Sequence, residues 1–173
     1  EWALVLLAGP EPPRAVERLT GAALPPAPWD HAEAEIGALT VRVARGRGET
    51  GETEAWLLAR RADGPAVWAA ILAAGARPVG LTALDVLRVE AGTPWLGHDV
   101  DEKVLLPEIP FEGLVSHTKG CYIGQELVVR VRDRGHVNRV LTGLTLEGEA
   151  VPRPGAAIVA DGKEVGRVTS EVR

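Results

Sequence analysis

Methionine is absent from the 173 residues, and cysteine, tyrosine and phenylalanine each occur once. A single cysteine forbids an internal disulfide and cannot supply the four thiolates of an ordinary iron–sulfur site. The longest unbroken apolar run, Ala66 to Ala74, is far too short to span a bilayer. No secretory leader heads the chain, so the expected setting is the reducing cytoplasm, with no membrane partner. Lysine is scarce, three residues against sixteen arginines, and the net charge of −5 argues against a dedicated nucleic-acid binder. No repeat of collagen or coiled-coil type is present.

What is there suits a folded domain. The chain is 46% apolar, enough for a real core and too much for a disordered segment. It begins at Glu1 and stops at Arg173 inside a predicted strand, as a piece of a longer protein would. A site completed from outside would look incomplete within it.

Trp2 to Ala8 reads as a strand buried on both faces, ended by Gly9-Pro10. Glu11 to Thr20 reads as a helix, with Pro12 and Pro13 in the first turn and Gly21 as the stop. Ile36–Ala44 and Ala55–Ala59 are expected strands, after a proline-rich loop from Leu24 to Trp29. A second helix opens at Gly64-Pro65, Pro78–Leu81 is a short strand, and a third helix runs from Thr82 to Gly92. The order is that of a split β-α-β (ferredoxin-like) α+β domain. From Gly135 onward, strands at Val140–Leu146, Ala156–Ala160 and Lys163–Val172, with an Asp161-Gly162 turn, read as the start of a small β-barrel.

Gly46-Arg47-Gly48-Glu49-Thr50-Gly51 matches the spacing of a dinucleotide fingerprint. That fingerprint needs a helix N-terminus aimed at phosphate, whereas Glu49, Glu52, Glu54 and a strand follow here. A hairpin loop is the better reading.

The only Cys, Tyr and Gln fall within five positions, at Cys121, Tyr122 and Gln125. A helix starting near Gly124 would place Cys121 at its positive end, and Lys119 adds charge, so thiolate would be favoured. Gly120 and Gly124 would let backbone amides approach a ligand. A buried structural thiol is the competing reading. From His117 to Arg139, Lys119, Arg130, Arg132, Arg134 and Arg139 outweigh Glu126 and Asp133 by three charges. This basic island suits an anionic ligand or an acidic partner, or is simply a solvated face. Glu90 sits near the apolar face at the end of the third helix, where the dipole disfavours a carboxylate by about 0.3–1 kcal/mol. Buried there, it would accept two hydrogen bonds from an N–C–N group such as a pteridine; a surface ion pair with Arg88 or another arginine is the alternative. His98, Asp99 and Asp101 lack the spacing of a metal site. No resident metal is expected.

The run Lys119-Gly120-Cys121-Tyr122-Ile123-Gly124-Gln125-Glu126 resembles the K-G-C-[FY]-x-G-Q-E signature of the YgfZ family. Those are folate-dependent proteins of iron–sulfur cluster maintenance, related to the glycine cleavage T-protein, a tetrahydrofolate-dependent aminomethyltransferase. Leu87-Arg88-Val89-Glu90-Ala91-Gly92 and Asp99-Val100-Asp101-Glu102 are similar to segments shared with T-proteins. Thr50-Gly51-Glu52 resembles their T-G-E hairpin, although Ala55-Trp56-Leu57 departs from the aromatic and acid that should follow. The resemblance implies that residues 1–134 form part of a folate-binding region and 135–173 begin the barrel domain. It implies tetrahydrofolate or a derivative as ligand, Glu90 at the pterin, and Lys119, Gly120 and Gly124 in the folate site. Cys121 would be the functional thiol, with iron–sulfur enzymes or assembly proteins as partners. The primary expectation is therefore folate-dependent support of iron–sulfur proteins, indirectly including tRNA-modifying enzymes. Aminomethyl transfer and a non-enzymatic docking module are the alternatives.

Overall fold

A computed structural model describes residues 1–110 and 113–173, apart from the Arg134 side chain. The chain forms two compact units, Glu1–Ala91 and Gly92–Arg173.

In the first unit, β1 (Trp2–Gly9), α1 (Pro12–Thr20), β2 (His31–Ile36), β3 (Leu39–Arg45), β4 (Thr53–Arg60), α2 (Gly64–Ala73) and α3 (Leu81–Glu90) follow in order. The sheet order is β1-β4-β3-β2 and every pairing is antiparallel. Strands β1 and β3 therefore run in the same direction with β4 between them. The unit is α+β with a β-α-β arrangement, but α1 leads to β2 at the far edge, antiparallel to β1, and β2, β3 and β4 form a meander in place of the ferredoxin-like order. Val5 and Val43 both stand opposite Leu57, and Ala3 and Val41 opposite Ala59, so these side chains share one face. Val16 of α1 with Val67 and Ile71 of α2 join them in the core. Proline lies in the first turn of both helices, where its missing N–H costs nothing, and Gly21 closes α1 with φ +72°.

Three expectations change here. The β1 run was read as buried on both faces, yet Trp2 and Leu4 are 69% and 56% exposed, because the core helices cover only one face of the sheet. The expected strand at Pro78–Leu81 does not form. Pro78 cannot donate to a ladder, and Leu81 instead opens α3. Strand β2 was missed because His-Ala-Glu-Ala-Glu-Ile has low β propensity; it forms because Gly37, at φ +62°, turns it back onto β3.

In the second unit, α4 (Gln125–Arg134) precedes a hairpin of β5 (Ala157–Ala160) and β6 (Lys163–Arg167). Asp161 and Gly162 both have positive φ, as a two-residue hairpin turn requires. No strand forms at Val140–Leu146 and no closed barrel is seen among the described residues. Val128 is the single buried apolar side chain described in this unit.

Leu57 is fully enclosed at the centre of the first core. Leu57→Ala should cost about 2–5 kcal/mol through lost burial and a residual cavity, read from urea unfolding of the first unit. Glu35→Ala on exposed β2 should stay within about 0.5 kcal/mol and serves as the control.

Candidate functional site

The expected site residues divide between the units. Glu90 belongs to the first, whereas Lys119, Gly120, Cys121 and Gly124 stand together in the second.

Glu90 is the last residue of α3 and is exposed. Arg88 is not its partner. That guanidinium is 2% exposed and meets Asp85 one turn earlier, its Nε donating to Oδ1 at 2.6 Å. Asp85 follows Thr82 by three residues, the spacing of a capping box, but no side chain caps α3 and the carboxylate serves Arg88 instead.

The glycine-rich loop joins β3 to β4, so no helix follows it. Its centre is Glu54, which is fully buried. Glu54 Oε1 accepts from Thr50 N at 2.7 Å and Thr50 Oγ1 at 2.8 Å, while Oε2 accepts from Gly48 N at 3.1 Å. Three donors offset much of the cost of enclosing a carboxylate. Gly46 is required by close approach, since a Cβ there would stand 2.4 Å from Glu54 Cβ. The loop walls an open cavity of about 370 Å³ that Arg45, Arg47 and Glu52 also line. Sequence reasoning weighed Glu54 only as a charge hostile to phosphate. The one available signal was Thr50 four residues before it, within loop-closing distance.

In the second unit, Ser116 Oγ accepts from Lys119 N at 3.2 Å, and Gly120 and Gly124 hold φ of +86° and +87°. Cys121 is exposed between them, which removes the buried structural thiol as a reading. Tyr122 N donates to Gln125 Oε1 at 3.0 Å, so the glutamine side chain reaches back across the first turn of α4. Gly124 is the N-cap, one residue before the helix as the sequence implied. Lys119 Nζ lies 5.0 Å from the Tyr122 ring centroid, a cation–π contact. The tyrosine, unassigned from sequence alone, is thus what holds the lysine beside the cysteine loop.

The basic island is largely paired within itself. Arg130 meets Glu126 at 2.6 Å, and Arg132 meets Asp133 at 2.6 Å and His117 Nδ1 at 3.1 Å. The Arg132 hydrogen bond holds the Asp133 carboxyl below its ordinary value. Arg139 binds Glu108 Oε1 at 3.0 Å and Lys103 O at 2.9 Å. The side chain of Arg134 lies outside the described residues. Asp99 is equally committed, accepting from Thr169 Oγ1, Ser170 Oγ and Trp95 N. Among the described residues no group of three metal-ligating side chains gathers, and no helix is long and apolar enough to cross a membrane.

Residues 1–119 match the family model described as the GCVT N-terminal domain. The chain is 34% identical to an aminomethyltransferase of Rubrobacter xylanophilus over 98% of its own length and 46% of that protein. It is 37% identical to the aminomethyltransferase of Geobacillus kaustophilus, covering 98% of this chain and 48% of the relative. A Thermus thermophilus aminomethyltransferase is 37% identical over 79% of the chain and 37% of its own length. The chain thus spans about half the length of the curated relatives it matches.

The Glu108 carboxyl is held below its ordinary value, first by the Arg139 hydrogen bond and then by the Leu105 N–H. A depressed carboxylate contributes stability above its unfolded-state pKa and loses it as pH falls through the folded-state value. Wild type and Glu108→Gln should therefore differ most at neutral pH and converge under acid, read by amide exchange at Leu105. A difference independent of pH would show that the clasp does not depend on this charge.

Proposed function

The chain belongs to the family of the GCVT N-terminal domain, and from that premise we propose that it is a folate-binding part of an aminomethyltransferase-type protein. The observation that carries the reading is the similarity to curated aminomethyltransferases along 98% of the chain. It outweighs the iron–sulfur expectation, since the relatives compared above are aminomethyltransferases. The geometry of the first unit is compatible with it. Glu90 ends α3 as an exposed carboxylate, and two oxygens in one plane match the paired N–H donors of a pterin's amino-pyrimidine edge. In the second unit, Lys119 would offer its ammonium to a folate carboxylate, and Gly120 and Gly124 would leave their backbone amides open to a ligand. Residues 1–134 would then form part of the folate-binding region, with 135–173 opening the barrel domain. Tetrahydrofolate would accept the one-carbon unit, and this chain's task would be to bind and orient it.

A second reading is favoured by one specific feature. Cys121 is exposed on a loop held by two left-handed glycines, inside the eight-residue signature that resembles the YgfZ family. An exposed thiol so placed suits a ligand or redox group in iron–sulfur cluster maintenance better than it suits aminomethyl transfer.

Calorimetric titration of tetrahydrofolate into the full-length protein should show binding, weakened at least about tenfold by Glu90→Ala, the scale of one lost charge-assisted hydrogen bond. Absence of binding by the full-length protein would overturn the folate reading. Turnover with a lipoyl carrier protein loaded from glycine separates the two functions. Cys121→Ala should leave that turnover intact under the first reading, whereas under the second it should abolish support of iron–sulfur enzymes in cells while sparing folate affinity.

A further inference from the structure

We propose that Glu54 is a positioning residue for Glu90, acting through the glycine-rich loop on the last turn of α3; the proposal rests on the folate reading above. Glu54 stands opposite Ala8 on the sheet, and its side chain is enclosed because the Gly46–Gly51 loop folds back over it. The carboxylate fixes that loop at both ends of its turn, through Gly48 N on one oxygen and the Thr50 amide and hydroxyl on the other. The turn closes on itself with Gly51 N donating to Gly48 O at 2.9 Å. Thr50, at 4% exposed, has no other place for its hydroxyl proton.

The next residue transmits the constraint. Gly51, at φ +77°, lies against the end of α3: a Cβ built on it would stand 3.4 Å from Ala91 Cβ and 3.9 Å from Ala91 Cα. Ala91 N donates to Leu87 O at 2.9 Å and follows Glu90 directly, and Gly92 then leaves the helix with φ +73°. A final helical turn frays unless something packs on it. Here no side chain caps α3 at its start, and the loop supplies a backbone wall at its finish. Glu54 thus reaches Glu90 by a chain of contacts: carboxylate to turn, turn to Gly51, Gly51 to Ala91. Replacing one carboxylate oxygen by an amide NH2 sets that donor against a loop amide, Gly48 N or Thr50 N, so the loop must open and release Ala91.

The test is a double-mutant cycle in the full-length protein, with tetrahydrofolate as the probe. Glu54→Gln should weaken binding about tenfold, and in the Glu90→Ala background it should weaken it no further. Losses that multiply, or no loss from Glu54→Gln, would overturn the proposal. Thr50→Val removes one donor only and should move affinity in the same direction by less, which keeps the claim testable where Glu54→Gln unfolds the protein. Amide exchange without ligand gives a second, independent reading. Glu54→Gln, or Thr50→Val in its place, should speed exchange at Gly48, Thr50 and Ala91 together, and acceleration confined to the loop would overturn the coupling. A protein that binds no folate would defeat the folate reading, while the exchange result would still decide the coupling of Glu54 to the end of α3.

Discussion

The Glu54 carboxylate is enclosed beneath the loop whose own amides donate to it, and the shape of this end of the first unit follows from that enclosure. A buried anion must have donors, and the donors nearest in sequence are the backbone N–H groups of the residues just before β4. Meeting that demand folds the loop into a tight turn, makes glycine obligatory at Gly46, and brings Gly51 alongside Ala91. The strand, the loop and the end of α3 are therefore not three independent features. One charged group ties them.

The second unit is held differently. With Val128 as its one described buried apolar side chain, little of its order comes from a hydrophobic core. Anions act as clasps instead. Glu108 gathers Arg139 and the Leu105 amide, while Asp99 gathers the hydroxyls of Thr169 and Ser170, some seventy residues away in sequence. Such contacts are directional and depend on ionisation, so this unit's order should be more sensitive to pH and salt than that of the first. The cysteine loop is set within this framework by local means: Ser116 below Lys119, Gln125 behind Tyr122, and two glycines that permit the backbone path.

Much of this was legible beforehand where a single local rule governs. Proline in a first turn, glycine after a last one, and Asp161-Gly162 between alternating residues each placed a helix or hairpin. The failures have equally definite causes. Pro78–Leu81 satisfied a count of apolar residues but lacked a donor for pairing. Strand β2 offered glutamates and alanines, and only its partner β3 makes it a strand. The exposure of Trp2 and Leu4 was invisible because hydrophobicity reports what a face can bury, not whether anything covers it.

For the candidate site the same division holds. Sequence alone singled out the candidates: Glu90 at a helix end, and Cys121 on its glycine-flanked loop with Lys119 two residues before it. These depend on residue type and spacing over a few positions. Tertiary structure alone decided the pairings, giving Arg88 to Asp85 rather than Glu90, setting Lys119 over Tyr122, and making Glu54 the anchor of a loop. Pairing is a competition for donors and acceptors in three dimensions, and its outcome depends on which groups burial leaves without water.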